Sequence, residues 1–150
     1  MSVKSVIKER PLHGQHARLV GLFDELIAEA RKDDRSKLRE AWTVFEKSLR
    51  AHITAEEEEL LPGYAKVNPT EANAVAQDHA FFRSSLTEFG VDLDLHLVNA
   101  SAVASFGHRL RTHAANEDKG LYPWAKHSLS AAALERFRRV AEGEAVGTPA

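Results

Sequence analysis

Apolar positions recur along most of the 150-residue chain in alternating steps of four and three, the spacing that lines one face of an α-helix. Leu12, His16, Leu19, Phe23, Leu26 and Ala30 form one such stripe, and Pro11 suits the first turn of that helix, where a missing N–H is harmless. A second stripe runs through Leu38, Trp42, Phe45 and Leu49; its helix opens near Ser36 as N-cap and stops at Pro62-Gly63. Asn68-Pro69-Thr70 then punctuates the chain. Thr70 is the expected cap of a third helix, with stripe Ala72, Val75, His79, Phe82, Leu86 and Phe89 and its end at Gly90. Residues 91–99 alternate as a strand would, but a lone run cannot build a sheet, so a loop is expected there. The fourth stripe is Ala102, Phe106, Leu110, His113, Glu117 and Trp124, interrupted or kinked at Pro123. Leu129, Ser130 and Leu134 then read as a staple and cap opening a short last helix with Phe137 and Val140, ended by Gly143. The pattern predicts an all-α fold. It comprises an N-terminal arm over 1–10, an antiparallel up-down four-helix bundle over 11–127, and a short additional C-terminal helix and tail over 128–150.

Six of the stripe positions are polar. His16, His52, Glu56, His79, His113 and Glu117 stand where the spacing asks for apolar side chains, and they come from four different helices. His52 and Glu56 continue the second stripe directly, four apart, so they stack on one helical face and can grip one centre together. The same His-x-x-x-Glu spacing recurs at His113 and Glu117, and each copy is followed by a proline ten residues after its histidine: HITAEEEELLP and HAANEDKGLYP. Glu59 lies close to the second stripe, whereas Glu57 and Glu58 point away from it and read as a solvated face.

Taken singly, a buried histidine suits a core residue bonded to a carbonyl, and a glutamate near a helix end can reach solvent. Four helices placing such residues on their inner stripes independently is a poorer account than one shared partner. Two uncompensated carboxylates in an interior would each cost several kcal/mol. No lysine or arginine falls on these stripes to offset them. A pair of metal ions does so, since imidazoles ligate first-row metals and two glutamates can bridge two ions. The histidine-first spacing differs from the Glu-x-x-His of ferritin-like bundles.

Composition narrows the chemistry further. The absence of cysteine removes disulfides, thiolate metal sites and thiol nucleophiles, leaving nitrogen and oxygen as ligands. A net charge of -2 with both signs mixed along the chain provides no nucleic-acid footprint. With 43% hydrophobic residues but no apolar run of membrane-spanning length, no membrane partner is expected either. The N-terminus carries only scattered apolar residues, so a cytoplasmic location is the expectation. His96, His108 and His127 read as surface residues, and His13 is placed toward solvent. Tyr64 and Tyr122, near helix ends, read as packing residues, with capping of the pocket or phenolate ligation as the alternative.

From Leu12 to Trp124 the ordered set resembles the hemerythrin-like family of HHE cation-binding domains. It consists of the histidine of HARLVGLFDEL, H-x-x-x-E before Leu-Pro, the DH of QDHAFF, and H-x-x-x-E-D before Tyr-Pro. The resemblance implies a four-helix bundle holding two iron ions in a non-haem di-iron centre, bridged by oxide or hydroxide. It also implies terminal histidines His16, His52, His79 and His113, and bridging carboxylates Glu56 and Glu117. Two departures stand out. Oxygen-carrying hemerythrins have a second histidine one turn further along the third helix, where this chain has Arg83, with Val75 one turn the other way. They also place the fourth-helix carboxylate five residues after its histidine, which would select Asp118; the i+4 spacing shares a face better and favours Glu117.

The expected function is therefore binding of iron and reaction with O2, hydrogen peroxide or nitric oxide, in catalase-like detoxification or in sensing. The alternatives are an O2-binding or iron-storage protein without turnover, and a metal-free or zinc-bound helical interaction module.

Overall fold

The computed structural model describes residues 12, 14–32 and 34–143, and every regular element among them is helical. The expected arm, Pro11, His13 and the tail beyond Gly143 lie outside the described residues. Helix α1 spans Gln15–Ala30, after Gly14 in the left-handed conformation. Helix α2 spans Arg35–Ala55. Its cap is Asp34 rather than the expected Ser36: Asp34 sits in extended backbone, and its carboxylate accepts the amide of Lys37 at 3.1 Å.

The second helix does not stop at Pro62. A single π-helical turn, Glu56–Leu60, follows α2 directly and passes into α3, Leu61–Val67. The Leu61 amide reaches the Glu56 carbonyl across this wider turn, so the ladder is already re-phased where Pro62 lacks a donor. Asn68, not Thr70, caps α4, accepting the Glu71 amide at 3.1 Å and leaving Pro69 and Thr70 inside the first turn. Helix α4, Pro69–Leu95, also runs past Gly90 and takes in the first five residues of the expected loop, which is confined to 96–99; it ends at His96, whose φ of 60° is left-handed. Burial accounts for this extension. Leu93 is half-buried and packs against the apolar core, which holds this last stretch of the helix down.

Helix α5, Ala100–Lys119, is capped by Asn99 and ends at Gly120, and α6 covers Leu121–Ser128. The expected interruption thus falls three residues before Pro123, because a proline disturbs the carbonyl four residues back, here that of Lys119. Ser130 accepts the Ala133 amide at 3.1 Å and opens α7, Ala131–Ala141, as expected, with Leu129 and Leu134 packed in one cluster.

The helices bury two apolar clusters. One holds Phe23, Phe45, Phe82 and Phe106, and the other Leu60, Tyr64, Leu121 and Phe137. On α2 the first cluster ends at Ile53 and the second starts at Ala55; on α4 they are separated by the stretch from Val75 to Phe82. The six polar stripe residues lie at this joint and are all buried. Ala102, at the head of the fourth stripe, is exposed, and Trp124 is only partly buried.

Candidate metal centre

Each inner side chain arrives from the stripe that the apolar residues define, so core burial aims them at one point. His16 comes from α1, His52 from α2, Glu56 from the π turn, His79 from α4, and His113 and Glu117 from α5. Glu56 divides its oxygens between two histidine pairs. Oε2 lies 2.8 Å from His52 Nε2 and 3.7 Å from His16 Nε2; Oε1 lies 2.9 Å from His79 Nε2 and 4.0 Å from His113 Nε2. Glu117 Oε1 spans the pairs from the other side, 3.0 Å from His16 Nε2 and 3.2 Å from His113 Nε2. The result is two four-residue groups, His16, His52, Glu56, Glu117 and Glu56, His79, His113, Glu117. In each, one ligand atom per residue lies within 4.8 Å of the others.

Around these stand three carboxylates that orient the rings. Asp118 accepts from His16 Nδ1 at 2.9 Å, Glu57 from His79 Nδ1 at 2.9 Å, and Asp78 from His113 Nδ1 at 2.8 Å. Each bond commits Nδ1–H outward and turns Nε2 inward, the arrangement that fixes a metal-ligating histidine. Two of the three are held in turn by arginine. Arg83 donates to both oxygens of Glu57 at 2.8 and 2.7 Å, and Arg109 donates to Asp78 at 2.9 Å. Glu57 therefore belongs to the site rather than to a solvated face. Glu58 is exposed, and Glu59 is paired with Arg136 at 3.3 Å.

Tyr122 is likewise more than a packing residue. Its buried hydroxyl donates to Glu56 Oε2 at 2.9 Å and lies 2.9 Å from His52 Nε2, while its ring stacks on His16 at 4.4 Å. Tyr64 stays outside the centre, donating to Glu71 at 2.7 Å. His96, His108 and His127 are exposed, as expected.

Burial and charge oppose each other here. Desolvation lowers the pKa of His16, but hydrogen bonds to Asp118, Glu117 and Glu56 outweigh it and push it up to about 11. His113 is raised to about 9, where burial loses to the Glu117, Glu56 and Asp78 carboxylates. Burial raises Glu56, yet the charge of His52 and the hydrogen bonds of His16, His52 and His79 hold it well below the usual carboxylate range. Burial and the neighbouring Glu56 and Glu117 drive the Tyr122 phenol well above its ordinary value.

These residues fit a metal. The donors are imidazole nitrogens and carboxylate oxygens, which suit first-row ions. Glu117 Oε2 is buried without any hydrogen-bond partner, a costly state that an ion beside it would relieve. A pocket of ≈ 10 Å³, lined by His16, His52, His113 and apolar side chains, adjoins the centre, and a cleft of ≈ 350 Å³ lined by Asp78, Asn116, His113 and Glu117 lies beside it.

The stripe pattern missed the outer carboxylates, although a signal for them exists. Each is the chain neighbour of an inner residue on one helix and serves a histidine on another: Glu57 beside Glu56, Asp78 beside His79, Asp118 beside Glu117.

No curated protein and no solved structure matches the chain. The family model of the hemerythrin HHE cation-binding domain matches residues 9–125, a span that contains all six inner residues and the three outer carboxylates. With its buried histidine and glutamate donors inside that span, the chain belongs to the hemerythrin family of HHE cation-binding domains.

Proposed function

We propose that the protein is a non-haem di-iron protein of antiparallel four-helix architecture that reacts with O2, hydrogen peroxide or nitric oxide, in detoxification or sensing. The observation carrying this reading is the sharing of Glu56 and Glu117 between two histidine pairs, which suits two ions held side by side. His16 and His52 would hold one, His79 and His113 the other, with the two glutamates between them. Iron bound there supplies a redox change and a coordination position for a small oxidant.

The remaining roles belong to the chain. Asp118, Glu57 and Asp78 keep Nδ1–H of His16, His79 and His113 pointed outward and the rings in place. Leu49, Ile53, Phe82 and Leu110 keep water from one side of the centre, leaving a pocket suited to one small molecule. Tyr122 holds a proton on its hydroxyl within hydrogen-bonding distance of both Glu56 and His52. Arg83 occupies the place of the additional histidine of oxygen carriers and binds Glu57 instead, which favours reaction over reversible carriage.

Elemental analysis of the purified protein, with visible absorption and O2 evolution recorded on adding peroxide, tests the proposal. Two irons per chain with sustained O2 evolution is the expected result. A single stoichiometric oxidation would move the reading to storage or binding. A folded protein that takes up no iron would overturn it.

A further inference from the structure

At the far end of the bundle, the helices leave an apolar cleft of ≈ 830 Å³. Its open apolar wall is the half-buried Ile27, Leu38, Phe89, Leu93 and Val103, which lie over the buried rings of Phe23, Trp42, Phe45 and Phe106. Phe45 precedes His52 by two helical turns, about 10 Å, so the cleft is separate from the metal centre. Leu12 and Ala141, near the two ends of the described chain, both pack in the cluster on the opposite side of that centre. Neither end of the described chain starts near the cleft.

A space of this size falls in the range of small-ligand sites, and its lining defines what it would take. The charged side chains among the lining residues are Asp24, Arg31 and Arg111. Two of these neutralise each other, Arg111 donating to Asp24 at 2.5 Å. Arg31 is exposed and makes no side-chain hydrogen bond or ion pair among the described residues, leaving one positive charge in the lining. Ala100, the first residue of α5, also lines the cleft, and the positive end of that helix dipole adds to the preference for an anion.

We propose that this cleft binds a mono-anionic amphiphile of the fatty-acid type, its alkyl chain along Ile27, Leu38, Phe89 and Val103 and its carboxylate at Arg31. Such a ligand matches both halves of the site, where a neutral apolar molecule would leave Arg31 unused and a hydrophilic anion would leave the half-buried apolar lining wet. The inference does not depend on iron.

Calorimetric titration of the iron-loaded full chain with octanoate, decanoate and dodecanoate tests it, with 1-decanol as the uncharged comparison. Affinity should rise about fourfold per added methylene. Arg31→Gln should weaken decanoate about threefold and leave decanol unchanged, as expected for an exposed ion pair. Val103→Trp, which fills the cleft from α5, should weaken both about tenfold or more without changing iron content. If that variant fails to fold, Ala104→Trp on the same exposed rim replaces it. Absence of saturable decanoate binding, or wild-type affinity in the folded tryptophan variant, would overturn the proposal. So would a stable dimer that seals the cleft and that decanoate does not dissociate. Loss of iron binding with decanoate binding intact would count against the metal centre alone.

Discussion

Replacing Glu57 by alanine separates what the outer carboxylates do for the fold from what they do for the metal. Glu57 and Arg83 are about one-third exposed, at 31% and 39%, so their ion pair is worth about 0–1 kcal/mol to stability. The His79 ring is fully buried, and removing the acceptor of its Nδ1–H adds about 1–3 kcal/mol. The variant should therefore fold, with a stability loss of about 1–4 kcal/mol. Its effect on metal binding should be local. Loss of an orienting carboxylate weakens a histidine-held metal about 10- to 100-fold, or about 1.4–2.7 kcal/mol. That loss should fall on the position held by His79 and His113. Anaerobic ferrous titration against a chromogenic chelator, resolving two binding constants, reads this directly. Arg83→Met, which leaves the His79 to Glu57 bond in place, should change the same constant about threefold or less. Asp118→Ala should weaken the other position through His16. A folded Glu57→Ala protein with both constants at wild-type values would refute the reasoning, and equal weakening of both would refute the assignment of Glu57 to one position.

Further outcomes follow from the same geometry. In protein stripped of metal, His16 and His113 titrate at about 11 and about 9 rather than 6.5. The stability they contribute is complete below 6.5 and lost as pH rises through those values, while that of the depressed Glu56 is lost in acid. Urea unfolding of the stripped protein should show stability falling as pH rises from about 6.5 toward 9, and a rising profile there would contradict the account. Metal loading near neutral pH should release protons in lightly buffered solution, because ions displace those held by His16 and His113. Tyr122→Phe should cost about 1.5 kcal/mol in thermal unfolding, since Glu56 loses a donor but keeps His52 at 2.8 Å. Phe137→Ala should cost about 3–5 kcal/mol and expose the centre, because this fully buried ring on α7 packs edge-on against both His52 and Tyr122. Unchanged stability there would deny α7 its role as a cover.

The buried cluster of six polar residues was legible in the residues themselves. Helical periodicity makes burial a property of spacing, so a histidine at a core step of each of four stripes, with two glutamates four residues on, marks an interior polar cluster. The final helix was legible for a similar reason: a serine cap and its flanking leucines act within a few residues. Element ends were less so, because Asp34, Asn68 and Gly120 compete with equally plausible neighbours and the winner depends on backbone angles. The passage through Pro62 required a π turn, which periodicity read at a constant step cannot register. Only the tertiary structure could decide the outer layer. Asp118 meets His16 across 102 positions of chain and Tyr122 meets His52 across 70, distances over which local propensity carries no information. Spacing determined which side chains face inward; packing between helices determined which carboxylate orients which ring, and brought Tyr122 to Glu56.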